Sequence, residues 1–113
     1  DHGKNFGFLL HDDGRWTLSP SFDITYAPGP YGEHATSFWG NGRRITRNAL
    51  ERMSHLMTTP VERLEEIVRQ TADAALGFSE TALSLGAKRT TVKEVKTQVE
   101  AAIAENFKAM ELR

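Results

Sequence analysis

One asparagine and one aspartate of this chain have the residue types and the spacing that a metal site would use. Asn5 ends the opening segment, residues 1–5, and Asp23 follows eighteen positions later within residues 19–24. Two short apolar runs, at 6–10 and 16–18, separate them and predict a hairpin. Hard cations such as Mg²⁺ bind carboxylate and amide oxygens. A hairpin that returns Asp23 to Asn5 would therefore present two oxygen ligands to one ion.

Phosphoryl transfer is the chemistry that such a pair would serve. The triphosphate is anionic, its transition state spreads charge over the equatorial oxygens, and Mg²⁺ neutralises that charge. Protein kinases hold the metal with an Asn that closes the catalytic loop and with an Asp that follows the next hairpin. Asn5 and Asp23 stand in that order, so both are predicted metal ligands.

Two spaced motifs make the sequence resemble the HipA-like serine/threonine kinases, which are toxins of toxin–antitoxin systems. The catalytic loop of that family reads roughly Asp-x-His-x-Lys-Asn, and three of its positions are matched here by His2, Lys4 and Asn5. The Ser-Pro-x-Tyr/Phe-Asp motif that replaces Asp-Phe-Gly is matched by Ser19, Pro20, Phe22 and Asp23. Residues 32–37 and 41–46 also look like that family's C-terminal lobe, so the resemblance covers most of residues 1–55.

The resemblance implies an α+β fold, with a small β-hairpin section followed by a helical bundle, from the C-terminal lobe of a protein-kinase-like domain. Residues 1–45 would carry the catalytic and metal-loop hairpins, and residues 46–113 the helical part. The parent protein would transfer the γ-phosphoryl of ATP to a serine or threonine hydroxyl in the cytoplasm. Asn5 and Asp23 would bind both Mg²⁺ and, through it, the ATP phosphates.

The family's catalytic base has no counterpart in this sequence. It is the Asp two residues before the His, a position that precedes Asp1, and Asp1 itself falls on the variable place between them. His2 and Lys4 are predicted to support the loop, with Lys4 either contacting a phosphate or solvated. We therefore expect a chain cut from a larger protein, without a complete active site and inactive alone.

Implied partners are a protein substrate, such as a translation-related aminoacyl-tRNA synthetase, a DNA-binding antitoxin, and the N-terminal lobe of the same protein. Direct binding to nucleic acid or membrane is not expected, because the net charge is only −1 and no apolar run approaches the roughly 18–20 residues of a spanning helix. The absence of cysteine excludes disulfides and thiolate chemistry, and it suits a reducing cytosol.

Other interpretations of these residues stay open at this point. Asn5 or Asp23 alone could cap a turn or a helix, and the whole chain could be a non-enzymatic module whose helical face binds a protein. A degenerate kinase relative that only binds nucleotide is a third option. Zinc is disfavoured, because the candidate ligands lack helical i, i+4 histidine spacing and thiolates; they are His2, His11, Asp12, Asp13 and His34.

Three arginines cluster near residue 46, where the spacing of the apolar residues changes to that of a helix. Arg43, Arg44 and Arg47 could receive a phosphorylated segment or a nucleic-acid backbone, although a solvated edge is the commoner explanation. Just before it, residues 35–39 and 43–45 read as strands around an Asn41-Gly42 turn.

Local signals then predict helices with defined ends. Thr46 and Thr59 are predicted N-caps, Gly77 should weaken or kink the second helix, and Gly86 should end it. Thr91 and Glu94 match a capping box for the last helix. Three apolar stripes at helical spacing are assigned to the core: residues 49, 50, 53, 56 and 57; residues 61, 64, 67, 68, 72, 75 and 76; and residues 92, 95, 99, 103, 107 and 110. The aromatic residues Phe6, Phe8, Trp16, Phe38 and Trp39 are also assigned to the core.

Overall fold

A computed structural model describes residues 5–24, 27, 29 and 32–112 of the chain. Two strands, β1 (Phe8–Leu10) and β2 (Trp16–Leu18), precede three helices, α1 (Arg47–Met57), α2 (Val61–Ser84) and α3 (Arg89–Ala109). The fold is therefore α+β, as predicted. The chain divides into two compact units, Asp1–Arg43 and Arg44–Arg113, which are described separately.

The predicted hairpin is present in the first unit. β1 and β2 pair antiparallel, with Phe8 opposite Leu18 and Leu10 opposite Trp16. Its turn is not the two-residue type in which both Asp13 and Gly14 would have positive φ. Of these two residues only Gly14 does, at 81°, and the carboxylate of Asp13 accepts a hydrogen bond from the N–H of Arg15 at 3.0 Å. This is a longer turn that ends in one left-handed glycine.

The predicted second hairpin is reduced to one tight turn. An isolated bridge joins Phe38 to Asn41, and the turn residues are Trp39 and Gly40, with φ of 50° and 79°. Asn41-Gly42 is not the turn, and no strand forms among the described residues 35–39 or 43–45. The amide oxygen of Asn41 accepts a hydrogen bond from the N–H of Arg43 at 3.0 Å. Asn41 thus stabilises the segment that directly follows the turn.

The helix ends agree with some local signals and not with others. Thr46 caps α1 as predicted, because its hydroxyl accepts a hydrogen bond from the N–H of Ala49 at 3.3 Å. Thr59 does not cap α2; its hydroxyl donates to the carbonyl of Met57, and Pro60 takes the cap position.

α2 runs through Gly77 without a break and stops at the predicted glycine, Gly86, whose φ is 87°. α3 starts at Arg89, so Thr91 lies inside the helix and the predicted capping box was wrong.

Three buried residues form the core of the second unit. Leu50 lies on α1, Leu64 lies on α2, and Met110 directly follows α3. The predicted stripes supply it, with four exceptions: Ile67 and Leu76 of α2, which are 42% and 38% exposed, and two residues at the end of α1. Leu56 is 73% exposed and Met57 is 56% exposed, because they lie in the last helical turn, beyond the core residues of α1.

The aromatic side chains of the hairpin are more exposed than predicted. Phe6, Phe8 and Trp16 are each more than half exposed, so their assignment to a core was wrong. A two-stranded sheet has no second layer of its own to bury a face against. Phe38 and Trp39 pack edge to face on each other, with ring centroids 5.0 Å apart, and Trp39 is 38% exposed, so its assignment to the core was also wrong. In the part of the chain that the structure describes, no helix combines the length and apolar character needed to cross a membrane.

Candidate functional site

The two predicted metal ligands are in direct contact. Asn5 Nδ2 donates a hydrogen bond to Asp23 Oδ2 at 2.6 Å, across eighteen positions of sequence and on the exposed surface. The spacing argument thus correctly predicted that the two side chains meet. Metal binding by the pair stays a prediction.

The hairpin register explains most of this proximity. Beyond the Phe8–Leu18 pair, the N–H of Ser19 donates to the carbonyl of Gly7 at 2.8 Å, so the ladder continues by one further pair. The same register would place residue 21 opposite Asn5. Asp23 lies two residues further on, which is roughly 6–7 Å along an extended strand. The chain must therefore turn back after Ser19 for the carboxylate to reach Asn5.

Asp23 itself supplies part of that turn. Its φ is 56°, in the left-handed region that Asp tolerates better than most residues with a side chain. Backbone conformations of this kind carry a cost and occur preferentially at functional sites. The sequence analysis did not predict this conformation, because nothing in residues 19–24 distinguishes Asp23 from an aspartate with ordinary backbone angles.

The donor chemistry of the pair fits a hard divalent cation. Asp23 offers carboxylate oxygens, and the amide of Asn5, whose nitrogen is engaged with Asp23, offers its oxygen Oδ1. Mg²⁺ is usually bound by one or two protein carboxylates together with waters and substrate phosphates, not by a complete protein cage. A carboxylate and an amide oxygen are thus donors of the kind that this ion accepts.

His11 and Asp13, which were also considered for metal binding, make local contacts on the hairpin. His11 Nε2 lies 2.8 Å from Thr17 Oγ1 on the hairpin, and Asp13 holds the turn. Among residues 5–24, 27, 29 and 32–112, no group of three or more His, Cys, Asp or Glu side chains could hold a metal. Asp1, His2 and Lys4 lie outside the described residues, and the loop-support roles of His2 and Lys4 stay predictions.

Arg44 and Arg47 of the predicted cluster are paired with carboxylates of their own unit. Arg44 lies 3.7 Å from Glu105, and Arg47 binds both Glu51, at 2.9 Å, and Glu65. The hydrogen bond to Glu65, followed by that to Glu51, raises the pKa of Arg47 above its usual value. This pairing favours a structural role over phosphate capture for Arg44 and Arg47.

Sequence reasoning missed one polar residue of the helical unit. Asn106 Oδ1 accepts a hydrogen bond from the N–H of Ile45 at 2.9 Å, and its Nδ2 donates to the carbonyl of Ala102. It also borders a groove of about 280 Å³ between α2 and α3. The groove is mostly apolar and is lined by Ile45, Ile67, Val68, Thr71, Ala72, Ala102, Ile103, Asn106, Phe107 and Met110. A polar residue inside a helix gives no periodic signal that would reveal such a contact.

Comparison with known proteins gives one match. The family model described as HipA-like C-terminal domain matches residues 1–78, a range that includes the hairpin, the Asn5–Asp23 pair, α1 and most of α2. No curated protein and no solved structure matches the chain.

Proposed function

The chain belongs to the family of HipA-like C-terminal domains, and on this premise we propose that it is part of an ATP-dependent serine/threonine protein kinase. It would be the C-terminal portion of the kinase domain over residues 1–113 and would carry the metal-binding half of the active site. The observation that carries the proposal is the Asn5–Asp23 contact at 2.6 Å, in a segment that the family model covers.

In the proposed site, Asn5 and Asp23 hold the metal–nucleotide complex through their side-chain oxygens. Bound Mg²⁺ would neutralise the negative charge of the ATP phosphates. The hydrogen bond between the two side chains fixes the amide and the carboxylate next to each other before any ligand arrives. Such preorganisation reduces the side-chain entropy that is lost on binding. Lys4 is the proposed point charge for a phosphate oxygen.

The remaining catalytic groups of the proposed kinase have no counterpart among these 113 residues. They are the base, two positions before His2, together with the phosphate loop and the lysine of the N-terminal lobe. From family membership alone, the proposal includes a protein substrate used in translation, a DNA-binding antitoxin and a cytoplasmic location. We propose that the 113-residue chain has no kinase activity alone. Phosphotransfer by the purified chain would contradict this.

The test of the metal half-site is an NMR titration of the ¹⁵N-labelled chain with Mg²⁺–ATP. We expect shifts confined to residues near Asn5 and Asp23 that disappear in Asp23→Ala. Asp12→Ala is the matched control, since it removes the carboxylate of another exposed residue of the same hairpin and should leave the response intact. Equal responses in all three proteins would contradict the proposal. If the titration shows no shifts, it is repeated with a chain extended upstream. A second titration without shifts would also contradict the proposal.

A second candidate function is a non-enzymatic interaction module built from the helices. The apolar groove between α2 and α3, with Ile67 at 42% exposure, is the observation that favours it. This alternative predicts no effect of metal or nucleotide, and a partner footprint within residues 60–110. The kinase proposal predicts metal effects that depend on Asn5 and Asp23, so the same titration separates the two.

A further inference from the structure

We infer that Gly7 and Phe22 are positioning residues for the Asn5–Asp23 pair. The ring edge of Phe22 lies over the place that a side chain at position 7 would occupy, and this packing turns the chain so that Asp23 reaches Asn5. The functional meaning of the inference rests on the proposed metal site, whereas its geometry does not.

The space around Gly7 is the first observation. A Cβ atom at this position would lie 3.2 Å from Ser19 Oγ and 3.5 Å from Phe22 Cε1. The φ of Gly7 is outside the left-handed region, so the backbone alone does not require glycine. What glycine provides here is room for the hydroxyl of Ser19 and the ring of Phe22 on one face of the hairpin.

The connection between this packing and the site is short. The N–H of Ser19 bonds to the carbonyl of Gly7 at 2.8 Å, which fixes the last pair of the ladder. Three residues later, the ring of Phe22 returns to Gly7, and the next residue is Asp23 with its positive φ. Because Phe22 and Asp23 are adjacent, the contact of the ring with Gly7 limits where the Asp23 carboxylate can lie.

Two substitutions should break this arrangement from opposite sides. Gly7→Val fills the space that the ring uses, and Phe22→Ala removes the ring. Both should separate Asp23 from Asn5 while the β1–β2 pairing remains, since that pairing lies on the other side of Gly7. Phe22→Tyr keeps the ring and should keep the contact. Gly77→Ala is a matched control, because an added Cβ there meets nothing within 4 Å.

The experiment follows the Asn5 side-chain amide in the ligand-free chain by NMR. Its cross-peak to Asp23 should be present in wild type, Phe22→Tyr and Gly77→Ala, and lost in Gly7→Val and Phe22→Ala. Cross-strand signals between Phe8 and Leu18 should remain in all five proteins. Retention of the Asn5–Asp23 cross-peak in both disruptive variants would overturn the inference, as would its absence from wild type. Loss of both the Asn5–Asp23 cross-peak and the Phe8–Leu18 signals would also overturn the inference, since the substitutions would then have unfolded the hairpin as a whole.

Mn²⁺–ATP line broadening at Asn5 and Asp23 then tests the functional consequence. We expect at least a tenfold weaker affinity in Gly7→Val and Phe22→Ala than in wild type. If wild type shows no broadening while the cross-peaks behave as expected, the positioning inference stands and the proposed metal site falls. If Gly7→Val and Phe22→Ala lose the cross-peak yet bind Mn²⁺–ATP as wild type does, the pair needs no positioning and the functional part of the inference is overturned.

Discussion

Asn106 of α3 binds the backbone of Ile45, 61 positions away in sequence, through a hydrogen bond of 2.9 Å from the Ile45 N–H to Asn106 Oδ1. Ile45 directly precedes Thr46, the cap residue of α1. One side chain of the last helix thus fixes the point at which the first helix begins.

We expect Asn106→Ala to destabilise the helical unit by about 1–2 kcal/mol, because the partly buried N–H of Ile45 would lose its acceptor. Urea denaturation followed by circular dichroism measures this. Gln98→Ala, an exposed amide on the same helix, is the control and should change the free energy of unfolding by less than about 0.5 kcal/mol. Equal effects of the two substitutions would show that the Ile45 contact contributes nothing specific.

Arg47 connects α1 to α2 through Glu65 and also pairs with Glu51 on its own helix. Arg47→Gln should lower the melting temperature, and Glu65→Gln should add little once Arg47 is gone, because both substitutions remove the same contact. A double-mutant cycle of melting temperatures tests this. Additive effects of the two substitutions would mean that the pair is not coupled.

The pH dependence of Arg47 follows from its raised pKa. A cation whose pKa is higher in the folded state contributes stability that is fully present below its unfolded pKa and lost as the pH rises through the folded value. Because both values lie at or above the ordinary arginine range, the contribution of Arg47 should be constant between about pH 6 and pH 10. A difference between wild type and Arg47→Gln that shrinks within that interval would contradict this.

Two glycines near the end of α2 should respond to alanine with opposite signs. Gly86 has a φ of 87°, and its N–H bonds to the carbonyl of Leu83 while the N–H of Ala87 bonds to that of Ala82. Gly86→Ala should therefore cost about 1–2 kcal/mol. Gly77 lies inside α2 with open space around it, so Gly77→Ala should stabilise by up to about 1 kcal/mol. Thermal unfolding of both variants measures the signs, and equal signs would contradict this account.

The local sequence signals that correctly predicted helix ends depend on one residue and the backbone next to it. Thr46 begins α1, and Gly86 ends α2, because a cap hydroxyl and a left-handed glycine need no distant partner. The Thr91–Glu94 capping box failed because the same residue types also fit inside a helix that starts earlier, at Arg89. Sequence patterns of this kind give the type of an element more securely than its first residue.

Longer-range features could be predicted only in part. Motif spacing predicted that Asn5 and Asp23 would meet, yet neither the positive φ of Asp23 nor the packing of Phe22 on Gly7 has a sequence signature. The pattern of two short apolar runs correctly predicted a hairpin, but it does not reveal what covers each face of that hairpin. The exposure of Phe8 and Trp16 therefore could not be derived from it.

The charge of position 5 should determine how well the pair binds a cation without nucleotide. Asn5→Asp replaces the hydrogen bond to Asp23 by two adjacent carboxylates, which repel each other in the free chain but attract a divalent ion. We expect Mn²⁺ alone to bind Asn5→Asp at least about fivefold more tightly than wild type, with the gain reduced by salt, because exposed charges are screened. Isothermal titration calorimetry at two salt concentrations measures this. Asp12→Asn, which changes charge elsewhere on the hairpin, should leave the affinity unchanged. Unchanged Mn²⁺ binding in Asn5→Asp would mean that position 5 does not face the ion.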